Sequence, residues 1–162
     1  MEYWAIIPYT SVGPLVDTMN MAEVIDACGN PMRERETRDG FEMSWRNFVI
    51  LFWRSKIYEI ELFMSGTIPV FHNIEIRGSK KKMSKLFPES RDLGPIRQSI
   101  QISDGVRLGY QPGKTSVTSV VVSMTKTVAP RGTFDYIAPP LTTEQAALSA
   151  RFDEIMAKHP KR

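Results

Sequence analysis

The chain has 162 residues and a formal net charge of +3, and its composition is 42% hydrophobic and 24% charged. These values are typical of globular domains and exclude a fibrous or largely disordered chain. The single cysteine excludes an internal disulfide, and no apolar run approaches the roughly 20 residues that cross a bilayer. With acidic Glu2 in place of the basic flank of a secretion signal, we expect a cytoplasmic protein without a membrane partner.

The first signals along the chain predict a strand and a short capped helix. The run YWAIIPY is aromatic and β-branched, and Pro8 within it favours an edge strand because proline cannot donate to a ladder. Asn20 and Glu23 have the spacing of a capping box. Gly29 and Pro31 then predict the end of the helix.

The next signals predict an antiparallel meander. The charged segment MRERETRDG ends in Asp-Gly, which favours a turn. Alternating apolar and polar residues then predict three strands that bury one face, in FEMSW, NFVILFW and IYEIELFM.

The same order of signals recurs about 59 residues later, which indicates an internal duplication. Ser79 predicts the cap of a second helix that Pro88 ends, and a second meander runs through QSIQISDGVRLGYQPGKTSVTSVVVSM. Our sequence alignment of the repeats sets Val106, Leu108 and Tyr110 against Val49, Leu51 and Trp53.

After Met124 the sequence changes to an extended, proline-containing tail and a last helix, which Thr142 and Gln145 cap. One face of this helix is apolar, with Leu148, Phe152, Ile155 and Met156. We predict an α+β fold in which two tandem units, each a short helix on an antiparallel sheet, form one compact body. The expected division is 1–66 for the first unit, 67–127 for the second, and 128–162 for a tail and a C-terminal helix packed on the body.

No motif in the sequence predicts a catalytic or metal site. His72 and His159 lack partners at metal-ligand spacing, and Cys28 occupies the last apolar position of a short helix, where a buried thiol is ordinary. We therefore expect no catalytic residue, no metal and no cofactor. A small enzyme whose site assembles only in the folded chain stays open.

A basic cluster, Arg77 with Lys80, Lys81, Lys82 and Lys85, marks the second helix. Cations at a helix N-terminus interact unfavourably with the helix macrodipole, so these lysines slightly destabilise the start of the helix. A solvated surface is the simplest interpretation, and a nucleic-acid- or phosphate-binding adaptor is the alternative function. Few arginines and no aromatics alternate with these lysines, so we do not expect nucleic acid as the partner.

The first unit also resembles a known family. The residues are Gly13, Pro14, Leu15, Met19, Asn20, Glu23, Val24, Gly29 and Pro31, followed by FVILFWRSKIYEIELF. They resemble the opening unit of small bacterial immunity proteins, and the tandem layout is similar to the β-lactamase inhibitor protein family. Thr18 stands where that family usually has glycine, and Gly78-Ser79 replaces its Gly-Met pair in the second unit.

The resemblance implies an immunity protein, not an enzyme, that neutralises a cognate bacterial toxin by occluding its active site. Its sheet face or inter-unit loops would bind the toxin, and the free protein is expected to be a monomer. Apolar residues at both parities of the first meander also predict aromatics on the outer face of the sheet, where either the C-terminal helix buries them or they anchor a protein partner. The expected anchors are Trp45, Trp53 and Tyr58, and the expected charged contacts are Arg54, Arg77, Lys81, Arg107 and Lys114.

Overall fold

The computed structural model describes residues 2–138 and 140–158, and it shows the predicted α+β body with a C-terminal helix. Its first unit contains β1 Glu2–Ile7, β2 Ser11–Val12, β3 Leu15–Val16, α1 Met21–Cys28, β4 Arg33–Glu36, β5 Gly40–Ser44, β6 Phe48–Trp53 and β7 Lys56–Phe63. The second contains β8 Thr67–Phe71, β9 Ile74–Glu75, α2 Lys80–Leu86, β10 Arg91–Asp92, β11 Ser99–Ser103, β12 Val106–Gly109 and β13 Ser119–Ser123. The last helix is α3 Thr143–Lys158.

The caps of the two short helices are confirmed. The Asn20 side chain accepts from the Glu23 N–H at 3.1 Å, and the Glu23 carboxylate accepts from the Asn20 N–H at 2.8 Å. Gly29 follows α1 at φ 78°, in the left-handed region that glycine adopts most readily. Ser79 accepts from the Lys82 N–H at 3.2 Å and starts α2.

The smaller sheet has five strands in the order β3-β2-β1-β8-β9. The prediction of β1 as an edge strand is wrong, because β1 lies in the middle, antiparallel to β2 and parallel to β8. Pro8 lies just after the strand ends, so it removes no ladder hydrogen bond.

The larger sheet has eight strands in the order β10-β11-β12-β13-β7-β6-β5-β4. Strands β7 and β13 pair antiparallel at its centre, so β4–β7 form a first half and β10–β13 a second half with the same order from edge to centre. Both edge strands, β4 and β10, are charged, which discourages pairing with other chains. The first unit therefore has four strands in this sheet, and the RERE segment is its edge strand, not a turn.

One face of the eight-stranded sheet, the inner face, forms the core with the smaller sheet and the helices. Trp4 of β1 contacts Phe48 of β6 with ring centroids 5.2 Å apart, and Val24 of α1 and Met83 of α2 are buried in the same cluster. The cluster contains residues of both halves, so the two units share one core.

The sequence alignment of the repeats is wrong by one residue in β6. Phe48, Ile50 and Phe52 are the buried residues of β6, and the first two correspond to the buried Val106 and Leu108 of β12. Val49, which the alignment set against Val106, is only half-buried, on the opposite face. A shift of one residue moves a strand side chain to the other face of the sheet, so burial decides the alignment.

The cap of α3 is confirmed, but its packing differs from the expectation. The Thr142 hydroxyl accepts from the Gln145 N–H at 3.2 Å, and the Gln145 side chain accepts from the Thr142 N–H at 3.0 Å. All residues of α3 are exposed, so the helix does not pack on the described body. Within the ranges that the structure describes, no helix is long and apolar enough to span a membrane.

Candidate functional site

The outer face of the eight-stranded sheet, opposite the core, carries the candidate site. Alternation along each strand puts Val49, Glu61, Val121, Arg107 and Gln101 in one row across the sheet, as their pairing register shows. This row crosses the junction of β7 and β13. A partner that lies on it contacts both units at once.

A hollow of about 560 Å³ lies on the second half, and we name it the arginine hollow. Its lining includes Glu61, Phe63, Arg97, Arg107, Tyr110 and Val121. In the described part of the chain, neither guanidinium has a carboxylate oxygen within 4.0 Å. The hollow therefore presents two arginines whose charges are not neutralised by an ion pair.

Tyr110 lies at the end of the arginine hollow and also packs against the core. Its hydroxyl is buried and has no hydrogen-bond partner among the described residues. Burial raises the pKa of Tyr110 to about 12, because the phenolate would lose its hydration. This side chain stays a neutral phenol across the physiological range.

Two glutamates of β7 lie beside the arginines. Burial raises the pKa of Glu59, Arg107 lowers it in part, and Glu61 raises it again through like-charge repulsion. Glu59 and Arg107 also line a smaller adjoining hollow of about 220 Å³. Arg107 thus stabilises a buried carboxylate, whereas Arg97 lies in the exposed loop before β11.

The tail covers the other end of the outer face, and we name residues 129–136 the tail strap. The Ala129 N–H donates to the Tyr58 hydroxyl at 3.2 Å, and the Phe134 ring lies 5.0 Å from the Tyr58 ring. Tyr136 forms a β-bridge with Thr37, and the Arg35 guanidinium lies 5.3 Å from the centroid of the Tyr136 ring. Through these contacts the tail strap lies across the first half of the sheet.

The structure brings three of the predicted contact residues together at the β6–β7 turn. The Arg54 guanidinium lies 4.3 Å from the Trp53 ring centroid, and Tyr58 meets Trp53 edge-on at 5.9 Å. Arg54 and Ser55 both have positive φ, at 52° and 61°, so this two-residue turn holds non-glycine residues in a costly conformation. The three residues border a cavity of about 290 Å³.

Trp45 lies apart from that cluster, in the β5–β6 turn at the opposite end of β6. Its ring stacks on Phe48 at 4.8 Å, and its indole N–H donates to the Gly29 carbonyl at 3.0 Å. These contacts use the indole inside the molecule and join α1 to the sheet.

The remaining predicted contacts lie near the start of α2. The Val117 N–H donates to the Gly78 carbonyl at 2.9 Å, so the exposed turn that carries Lys114 lies beside the basic cluster and Lys81. Arg77 pairs with Glu75 at 2.8 Å, and a hydrogen bond from Lys80 lowers the pKa of Asp92. Two of the cations in this cluster are therefore already paired.

Sequence reasoning found Arg107 but missed Arg97 and Tyr110 as parts of the same hollow. Arg97 comes from a loop, and only the folded sheet brings that loop beside Arg107. The positions of the charged residues were a signal in the sequence. Glu59 and Glu61 lie two residues apart and therefore on one face of β7, and Arg107 of β12 lies on the same face of the sheet.

The other candidate groups offer less chemistry. The largest cavity, about 610 Å³ between the β8–β9 turn, α2 and β11, has an apolar floor that includes Phe71 and Phe87. Burial raises the pKa of the Cys28 thiol, which disfavours the reactive thiolate. Among the residues that the structure describes, no three His, Cys, Asp or Glu side chains group as metal ligands, and His159 lies outside them.

Comparisons with known proteins support the fold alone. The sequence matches no protein-family model, and no curated protein matches it either. A solved structure, an extracellular protein containing a SCP domain from Bacillus anthracis str. Ames, is similar at a TM-score of 0.51 with 11% sequence identity. The match covers 88% of this chain but 59% of that chain. At this sequence identity the structural similarity concerns the fold only and does not imply a shared activity.

Proposed function

We propose that this chain is a cytoplasmic immunity protein, not an enzyme, that binds a bacterial protein toxin through the outer face of its eight-stranded sheet. The toxin's active site is occluded by the bound sheet. The observation that carries this proposal is the arginine hollow, a depression on the sheet with two arginines outside the ion pairs of the described residues. The resemblance to immunity proteins and to the β-lactamase inhibitor protein family agrees with this use of a sheet.

The residue types in the hollow suit protein recognition better than catalysis. Arginine and tyrosine are enriched among the residues that dominate binding energy, and Phe63 adds an apolar surface beside them. Among the described residues, the lining contains no cysteine or histidine, the side chains that most often act as nucleophile or general base. Strand β12 also holds Arg107 in a fixed geometry, which lowers the entropy lost on binding.

The charges of the hollow predict an acidic contact on the toxin. Glu61 in the lining and Glu59 beside Arg107 offset part of the positive charge, and Arg97 in the exposed loop is the guanidinium left for an acidic contact. A carboxylate on the partner would take a bidentate hydrogen bond from a guanidinium, the strongest type of charged pair. Trp53 and Arg54 at the β6–β7 turn provide a second, more apolar contact.

Affinity capture followed by a binding measurement tests this proposal. Tagged protein is used to capture partners from a nuclease-treated lysate of the native cell, and the captured protein is then purified. We expect the double substitution Arg97→Glu and Arg107→Glu to weaken its binding at least 100-fold, about 2.7 kcal/mol. Arg131→Glu, an exposed arginine of the tail, is the matched control and should change binding little.

Two further results decide the function. Expression of the captured protein should arrest bacterial growth, and co-expression of this chain should restore it. If binding instead survives the double substitution but is lost with Lys81→Glu, or if a partner is captured only when nuclease is omitted, the basic cluster is the site and the adaptor function replaces our proposal. Such nucleic-acid binding would also fall steeply as salt rises.

A further inference from the structure

The C-terminal helix α3 has an apolar face that nothing in the described structure covers. Leu148 and Phe152 are each 61% exposed, Ile155 is 52% exposed and Met156 is 42% exposed. Their spacing puts all four on one side of the helix. A helix of 16 residues is only marginally stable in water without tertiary packing, so this face calls for a partner surface.

The charges beside this face repeat at intervals of seven residues. Glu144, Arg151 and Lys158 follow one flank of the apolar face, acidic at the N-terminal end and basic at the C-terminal end. When two copies of this helix pack antiparallel, the flank with these three charges on one helix faces the same flank of the other helix. Glu144 then faces Lys158 of the second copy at both ends, and the two Arg151 side chains meet at the centre, where they are free to turn into solvent.

A parallel pair lacks this complementarity. In that arrangement the flank of Glu144 and Lys158 faces the opposite flank of the second helix, which carries Ser149 and Met156. No carboxylate then lies opposite Lys158. The charge pattern thus favours the antiparallel arrangement.

We propose that α3 is a self-association element that packs antiparallel against α3 of a second copy of this chain. Leu148 of each helix packs against Phe152 of the other, and Ile155 packs against Gln145 at the two ends. The tail strap holds the chain beside β4 through Tyr136, at the edge of the first half, whereas the arginine hollow lies on the second half. The dimer contact uses no residue of the arginine hollow, and it revises the expectation of a free monomer.

The size of this interface sets its strength. One helix face of four apolar side chains buries less than the roughly 1,200 Å² of total surface at which stable interfaces begin. We expect a reversible dimer with a dissociation constant in the micromolar range. The inference does not depend on the proposed function, because it involves neither the toxin nor the outer face.

Sedimentation equilibrium of the full-length protein at about 1 to 500 µM tests the dimer. Phe152→Glu should leave a monomer across this range, whereas the matched control Ala150→Glu, on the opposite side of α3, should dimerise like the parent protein. Since α3 has no buried residue, neither change should alter the unfolding midpoint of the body. A monomer in the parent protein, or a dimer that survives Phe152→Glu, would overturn the proposal.

A charge exchange tests the antiparallel direction. At low salt, Glu144→Lys and Lys158→Glu should each weaken the dimer several-fold, and the double variant should dimerise more strongly than either single variant. Because Lys158 also pairs with Glu154 at 2.9 Å within the helix, Glu154→Gln is the control for losing that pair alone. A double variant as weak as the single ones would contradict the antiparallel arrangement.

Discussion

The two halves of the eight-stranded sheet have the same strand order but different outer faces. On the first half, the tail strap covers Tyr58 and Gly40, and Arg35 pairs with Glu42 at 2.7 Å. On the second half, Arg97 and Arg107 lie in an open hollow outside the ion pairs of the described residues. The tail covers one half, whereas the other half keeps an open hollow in the described structure.

The inner faces of the two halves, in contrast to their outer faces, are equivalent. Phe48 and Ile50 of β6 and Val106 and Leu108 of β12 are buried in one cluster. The duplication thus preserves the positions that build the core, whereas the outer positions differ between the halves. Function is expected where the repeats differ, and stability where they agree.

The largest expected effect tests the equivalence of the inner faces. Phe52→Ala should lower the free energy of unfolding by roughly 3–5 kcal/mol and Leu108→Ala by roughly 2–5 kcal/mol, since both side chains are fully buried. Urea unfolding followed by tryptophan fluorescence and far-ultraviolet circular dichroism should give one transition in each variant. Val128→Ala, in the exposed tail, is the neutral control.

Separate transitions for the two halves would contradict a shared core. In that event, Leu108→Ala would shift only the transition of the second half and leave the fluorescence of Trp4 and Trp45 unchanged.

The next effect distinguishes the outer faces through a pair of glycines. A Cβ at Gly40 would lie 2.6 Å from the Phe134 ring and 2.8 Å from the Phe52 carbonyl oxygen, which is backbone and cannot turn away. A Cβ at Gly109 would lie 2.6 Å from the Ser119 hydroxyl oxygen, the end of a side chain that can rotate. We expect Gly40→Ala to cost about 1–3 kcal/mol and Gly109→Ala clearly less.

Thermal and urea unfolding of the two alanine variants measure this difference. Equal costs at both positions would show that the tail strap does not restrict the first half.

A smaller effect concerns the strap itself. Tyr58→Phe removes the acceptor for the Ala129 N–H and should cost about 1 kcal/mol. Amide hydrogen exchange at Ala129 should become faster, while exchange in β12 should stay as it was. Tyr3→Phe, at an exposed position, controls for loss of a tyrosine hydroxyl. Unchanged exchange at Ala129 would mean that this hydrogen bond does not hold the strap.

Local signals in the sequence predicted the local structure well. The caps of α1, α2 and α3 depend on residues three positions apart, and β5, β6 and β7 follow from alternation over a few residues. The central place of β1 was not predictable in this way, because its neighbour β8 lies far along the chain. Short charged strands such as β4 have the composition of loops, so propensity alone does not find them.

The candidate site was predictable only in part. Trp53, Arg54 and Tyr58 are close in sequence, and they meet at one turn. Arg107 was expected as a contact, but its companion Arg97 comes from a loop whose position depends on long-range pairing. The one-residue error in aligning β6 with β12 also exchanged inner and outer positions, so the outer row across both halves was not visible beforehand.

The smallest expected effect compares equivalent positions of the two halves, Phe52 and Tyr110. Because the buried Tyr110 hydroxyl has no partner in the described structure, Tyr110→Phe should leave stability at pH 7 unchanged or raise it by up to about 1 kcal/mol.

The pKa of Tyr110 is raised to about 12 in the folded protein, above the value near 10 of an unfolded tyrosine. As pH rises, the unfolded chain therefore loses the Tyr110 proton first. The contribution of the protonated Tyr110 side chain to the free energy of unfolding is complete below pH 10 and is lost as pH rises towards 12. Urea unfolding at pH 7 and pH 10.5 should show the advantage of Tyr110→Phe growing with pH, since the lysines titrate equally in both proteins. An advantage that stays constant would mean that the Tyr110 hydroxyl is hydrated, as an open hollow with room for water would allow.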